Sequence, residues 1–200
     1  MNETYSLTKG SNFSLTKENP GLKTVKIGCS WSPKKGVGEF DVDSMAVCVD
    51  AKGKSINGMD GILFFGRRNP NSPDGAPFSI YNEGIHHSGD NRTGDGEGDD
   101  EVITLNFEKI PKEVDKVVIL IHNYQGFEKR ENFGYMDNVK ATIYLPSGNV
   151  NINISEDFSS YYTIEVGHFY RYEGDWKFKN TGTGFTTDLR AVFNSYGAGI

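Results

Sequence analysis

Six carboxylates fall within twelve consecutive residues of this chain, Asp90-Asn91-Arg92-Thr93-Gly94-Asp95-Gly96-Glu97-Gly98-Asp99-Asp100-Glu101. Asn91, the Thr93 hydroxyl and three glycines complete the oxygen-rich part of the segment. Arg92 is its only cation, so the segment carries about −5 of a total net charge of −6. Carboxylates this close repel one another unless something cancels them. An all-oxygen donor set suits a hard cation, and the glycines let the backbone curl and present its carbonyls. Calcium accepts six to eight such oxygens in a tolerant geometry, which makes calcium binding the leading expectation. The competing expectation is a solvated acidic loop with no ligand.

The spacing excludes two familiar calcium loops. Asp90 and Glu101 sit at positions one and twelve of an EF-hand, but Arg92 stands where a ligand belongs and Asp95 where the turn glycine belongs. Gly96-Glu97-Gly98-Asp99 has the flavour of a β-helix calcium repeat, yet it occurs once, and that architecture needs a stack. A second acidic feature lies elsewhere. Asp41 and Asp43 are two apart in a strand-like run, so both point to one face while Phe40 and Val42 point to the other. In a sandwich the loops gather at the two ends. An Asp pair and an acidic loop at the same end could share two calcium ions, whose charge of about +4 nearly cancels the loop.

The elements that must position these groups are strands. Val25, Ile27, Cys29 and Trp31 alternate with polar or small residues, and so do Phe40 to Cys48, Ile103 to Phe107, Ala141 to Leu145, Val150 to Ile154 and Tyr162 to Val166. Val117-Val118-Ile119-Leu120-Ile121 is a continuous apolar run, as expected of a central strand covered on both sides. Trp176 and Phe178 follow a turn at Glu173-Gly174-Asp175. Short strands separated by Gly, Pro, Asn and Asp predict a mainly β fold, an antiparallel two-sheet β-sandwich. Leu189, Val192, Phe193 and Tyr196 recur at helical spacing between a Thr187 or Asp188 cap and Gly197, predicting a short C-terminal helix. A shorter helix is expected after Pro111. Ser6-Leu7-Thr8-Lys9 recurs as Ser14-Leu15-Thr16-Lys17 and reads as an opening hairpin, and Gly66 to Ala76 reads as a surface loop. No boundary divides the chain, so residues 1–200 are expected to form a single domain.

Composition narrows the function classes. With pI near 5.2 and no basic stripe, nucleic-acid binding is not expected. The N-terminal residues Met1 to Ser6 lack the basic and apolar regions of a signal peptide, and the longest aliphatic run is far short of a span, so a cytoplasmic protein without direct membrane insertion is expected. Cys29 and Cys48 sit in apolar runs and read as buried reduced thiols. His86 and His87 are adjacent and face opposite sides of a strand, while His122 and His168 stand alone, so a zinc enzyme has no cluster to build on. No phosphate loop and no nucleophile elbow appears. Two alternatives stay open: a metal-dependent phosphoester hydrolase, and a scaffold with a purely structural calcium.

The acidic segment from Gly89 to Glu101 resembles the signature loop of the TerD family of tellurite-resistance and general stress-response proteins. The resemblance extends to Leu15-Thr16-Lys17 with Pro20-Gly21-Leu22, to Trp31 followed by Phe40-Asp41-Val42-Asp43-Ser44, to Pro111 to Val118, to Asn132-Phe133-Gly134 and to Gly167 to Phe178, and so runs from about residue 5 to 197. It implies a cytoplasmic, calcium-binding β-sandwich without enzymatic activity, working with protein partners in a membrane-associated stress complex. By position, the implied ligands are Asp41, Asp43, Asp90, Asn91, Asp95, Glu97, Asp99, Asp100 and Glu101. Two stretches depart from the family pattern. Gly61 to Asn82 carries an insertion at Arg67-Arg68-Asn69-Pro70, and His122-Asn123-Tyr124-Gln125 replaces a more acidic segment, which bears on the second ion.

Overall fold

In the computed structural model the described residues are 3–38, 40–67, 78–92, 98–152, 154 and 158–200. Their strands are β1 (Glu3–Leu7), β2 (Asn12–Ser14), β3 (Thr24–Pro33), β4 (Val42–Val49), β5 (Ile62–Leu63), β6 (Ser79–Ile80), β7 (Ile85–His87), β8 (Glu101–Asn106), β9 (Lys116–Asn123), β10 (Met136–Leu145), β11 (Gly148–Ile152), β12 (Thr163–Tyr172) and β13 (Asp175–Phe185). Three short helices are α1 (Leu15–Glu18), α2 (Gly126–Lys129) and α3 (Leu189–Ser195). One sheet has the order β1-β11-β10-β3-β8-β7-β6 and the other β2-β13-β12-β9-β4-β5. The ladders are antiparallel, except that β1 runs parallel to β11.

Alternation decides which side chains meet. Val25, Ile27, Cys29 and Trp31 of β3 and Ile103 and Leu105 of β8 point inward, against Val42, Ala46 and Cys48 of β4 and Val117, Ile119 and Ile121 of β9. The other faces of β4 and β9 are apolar too. Met45, Val47, Val49, Val118 and Leu120 pack beneath Val192 and Phe193 of α3. That second layer explains the unbroken apolar run in β9, a strand with no wet face. Helix α3 starts where Asp188 Oδ1 accepts from the Ala191 amide at 2.7 Å, and Gly197 leaves it with φ +80°.

Two local expectations fail. The Ser-Leu-Thr-Lys repeat does not make a hairpin. Strand β1 joins β11 in one sheet and β2 joins β13 in the other, because the chain crosses between sheets at a tight turn. Asn180 fixes that crossing, donating from Nδ2 to Leu7 O at 2.8 Å and accepting the Gly10 amide at its own carbonyl, 2.8 Å. The second copy of the repeat is the single helical turn α1. After Pro111 there is a turn closed by Val114 N to Pro111 O, 3.1 Å, and no helix. Most of the loop expected from Gly66 to Ala76 lies outside the described residues.

Register gathers the acidic elements at one end. Cys29 pairs with Glu101, His87 with Ile103 and Val42 with Asn123. The C-terminal ends of β3, β7 and β9 therefore meet the N-terminal ends of β4 and β8. Among the described residues no helix is long and apolar enough to cross a membrane.

Candidate metal centre

Phe40 and Val42 are buried in the core at the entry to β4, which turns Asp41 and Asp43 to the opposite face. The Asp41 carbonyl accepts the Tyr124 amide at 2.8 Å, holding this entry against the end of β9. Asp43 is only 2% exposed. Asp90 arrives from the loop after β7, and one carboxylate oxygen from each of Asp41, Asp43 and Asp90 lies within 4.8 Å of the others. Opposed ligands of a calcium ion, each at 2.3–2.6 Å from it, stand roughly 5 Å apart, so a spread of this size fits that ion.

The electrostatics show what the arrangement lacks. Asp41 Oδ1 and Asp43 Oδ2 are buried with no hydrogen-bond partner, a costly state for a carboxylate. Burial, then the nearby carboxylates of Glu101, Asp41 and Asp90, push the Asp43 carboxyl up to about 9. Burial, then Asp90 and Glu101, push Asp41 up to about 6, against the opposing pull of Arg92 and Lys129. Arg92 Nε reaches Asp90 Oδ2 at 3.2 Å from an exposed position. A divalent cation among these oxygens would supply the missing positive charge. The donor set is all oxygen and partly buried, so the residues fit a hard cation.

Glu101, 1% exposed, faces the core end of β8 directly behind this group. Its Oε2 accepts the Ser44 amide at 2.6 Å and His87 Nε2 at 3.2 Å, and its Oε1 accepts the Asn91 amide at 3.3 Å. His87 Nδ1 accepts the Gly89 amide at 3.1 Å, so the ring proton sits on Nε2, where Ser44 Oγ at 2.9 Å, the Ser44 carbonyl at 3.1 Å and Glu101 Oε2 at 3.2 Å share it. Asp100 holds the loop to β3, its Oδ2 accepting Trp31 N at 2.9 Å and its Oδ1 accepting Asn91 Nδ2 at 3.4 Å. Asp99 turns away. Its Oδ2 accepts the Tyr144 hydroxyl at 2.5 Å on the outer face of the larger sheet.

Of the residues expected at the site, the structure thus brings together Asp41, Asp43 and Asp90, with Glu101 behind them. It places Asn91 and Asp100 in the neck of the loop and Asp99 on the far side of β3. Asp95 and Glu97 lie outside the described residues. His122 pairs in register with Asp43. Burial pushes its imidazole down to about 4, so it is neutral beside the Asp pair, with Nδ1 2.8 Å from Thr163 Oγ1. His87 was expected only to face the side of the strand opposite His86, with no part in a metal cluster. Its inward parity with Ile85 was the signal that it would need a buried polar partner.

The TerD domain model matches residues 4–196. The chain belongs to the TerD family. General stress protein 16U of Bacillus subtilis (strain 168) is 36% identical over 199 residues, covering 97% of both chains. Tellurium resistance protein TerD of Serratia marcescens is 32% identical over 196 residues, covering 96% of both. The crystal structure of a homologue of telluride resistance protein (TerD) from Streptomyces coelicolor A3(2) has a TM-score of 0.66 at 19% identity, over 86% of this chain and 96% of that one. That likeness establishes a shared TerD fold, with the two-sheet, mainly β architecture expected from the strand spacing.

Proposed function

We propose that this TerD-family chain is a non-enzymatic, calcium-binding stress-response protein whose ion site is built on Asp41, Asp43 and Asp90. One observation carries the reading: three carboxylates converge from two separate elements, and two of their buried oxygens have no partner. A solvated acidic loop would not turn an almost fully buried carboxylate toward its neighbours. The bound cation would supply charge neutralisation. The protein's own part is positional. Strand β4 fixes Asp43, the Tyr124 amide holds Asp41 at the entry to that strand, His87 and Ser44 hold Glu101 behind them, and Asn91 keeps Asp90 at the mouth. Two calcium ions in all, the second drawing on acids of the loop other than Asp99, would offset much of the charge gathered here. The relatives' names support a part in stress response; within that part we place the chain as a cytoplasmic module that docks on protein partners of a membrane-associated complex, without inserting in the bilayer and without binding nucleic acid.

The test is calorimetric titration of chelator-treated protein with calcium, with magnesium as control. Calcium binding that Asp41→Asn abolishes supports the site. At calcium about 100-fold above Kd, one ion adds about 2.7 kcal/mol of stability, or roughly 5–10 °C in Tm for a chain of this size. No heat and no shift in Tm would remove the reading. Turnover of phosphate esters with magnesium or manganese, lost in Asp41→Asn, would favour the hydrolase instead.

A further inference from the structure

We infer that Asp99 is a strap for the acidic loop, fastened by Tyr144 across Gly28, and that it sets the cation affinity without touching the ion; the affinity part rests on the calcium reading above. On β3, Ile27 and Cys29 point into the core, so Gly28 between them faces outward. A methyl group on Gly28 would collide with the Asp99 carboxylate, which occupies the space the glycine leaves open. Tyr144 stands on the neighbouring strand β10, in register with Lys26, and its hydroxyl donates to Asp99 Oδ2 at 2.5 Å.

Asp100 and Glu101, the next two residues of the chain, connect this contact to the centre. The Asp100 amide donates to Cys29 O at 2.9 Å, and Asp100 Oδ2 accepts the Trp31 amide at 2.9 Å. Asp100 Oδ1 and Glu101 Oε1 then accept from the side chain and the amide of Asn91, at 3.4 and 3.3 Å. Asn91 directly succeeds Asp90, whose carboxylate converges on Asp41 and Asp43. The route from Tyr144 to Asp90 is therefore an unbroken series of hydrogen bonds and adjacent residues. Acidic as it is, Asp99 contributes by being held on the opposite side of β3 from the ion.

The test uses Tyr144→Phe, Gly28→Ala, Asp99→Asn and Asp99→Ala, read by calcium titration and by amide exchange of Asn91 and Asp100 in metal-free protein. Gly28 has an ordinary backbone conformation, and the group in the way is the mobile end of a side chain, so Gly28→Ala folds and expels Asp99. Tyr144→Phe and Gly28→Ala are expected to weaken calcium binding by roughly 2–10-fold, the range for one partly exposed hydrogen bond. They should speed exchange of the two amides by a similar factor. Asp99→Asn keeps an acceptor oxygen and stays closer to wild type than Asp99→Ala. If Asp99→Asn is as damaging as Asp99→Ala while Tyr144→Phe and Gly28→Ala are silent, Asp99 is a ligand and the strap is overturned. If wild type binds no calcium, the calcium reading fails, and unchanged exchange in Tyr144→Phe and Gly28→Ala would separately overturn the strap.

Discussion

Replacing Asp43 with Asn is expected to stabilise the metal-free protein at neutral pH while abolishing its response to calcium. The Asp43 carboxyl has an ordinary value of 3.8 and is pushed up to about 9 by burial and by Glu101, Asp41 and Asp90. In the unfolded chain it ionises above its ordinary value, while in the metal-free fold it keeps its proton. Between those two values the folded state binds more protons, so its stability falls as pH rises. Asp43's contribution is most favourable below 3.8 and is lost progressively up to about 9. At 1.36 kcal/mol per pH unit, the interval from the ordinary value to pH 7 is worth about 4 kcal/mol. Relaxation of the site and entry of water reduce this, leaving about 2–4 kcal/mol, or roughly 4–16 °C in Tm. Asn cannot ionise, and its amide can donate to the carboxylates of Asp41 and Asp90. The assay is urea and thermal denaturation of chelator-treated wild type and Asp43→Asn from pH 4 to 9, with and without calcium. The difference should be small at pH 4 and grow with pH. A variant less stable than wild type at pH 7 without metal, or a difference that does not change with pH, would refute the reasoning.

Three further outcomes are expected. Calcium binding at pH 7 should release about one proton, mainly from Asp43, and the affinity should drop about tenfold per pH unit as pH falls from 9 toward 6, then more steeply as Asp41 also protonates; titration in buffers of different ionisation enthalpy measures both. His87→Ala should cost about 1–3 kcal/mol by removing a donor to the buried Glu101, with less loss when Glu101→Gln is already present; a double-mutant cycle in urea reads the coupling. Burial opposes ionisation of Glu165, but hydrogen bonds from His168, Tyr196 and Thr181 outweigh it and hold the carboxyl below its usual range. That contribution is present above the ordinary carboxylate value and fades as pH falls through the folded value, so Tyr196→Phe should cost about 1–2 kcal/mol at pH 7 and less at pH 3.

Much of this was legible because the side-chain period of a strand is two. The alternation of Phe40 and Val42 with Asp41 and Asp43 fixed the face of the acidic pair, and the apolar run of β9 announced two covered faces. Pairing partners were less accessible. Nothing local distinguishes a hairpin at Ser6 to Lys17 from two strands sent to different sheets, since the choice depends on Asn180 far along the chain. The acidic loop shows the same divide. Its composition pointed to a cation, but Asp99, Asp100 and Glu101 are chemically alike, and only pairing of Glu101 with Cys29 sends them to the outer face, the neck and the core. His87 and Tyr144 carried no acidic signature, yet each fixes a carboxylate that did.

The crossing of the first residues between the two sheets has a bearing on synthesis. Glu3 pairs with Gly148, and Phe13 with Phe178. A chain emerging from the ribosome has its opening strands ready first and their partners almost last, so neither sheet can be closed at that edge until most of the sequence is out. Such long-range closure slows folding and leaves strand edges open in the interim. Residues 3–14 can dock onto β11 and β13 only once those strands are out. Removing them should leave β11 and β13 as two adhesive edges, read as concentration-dependent association of the shortened chain.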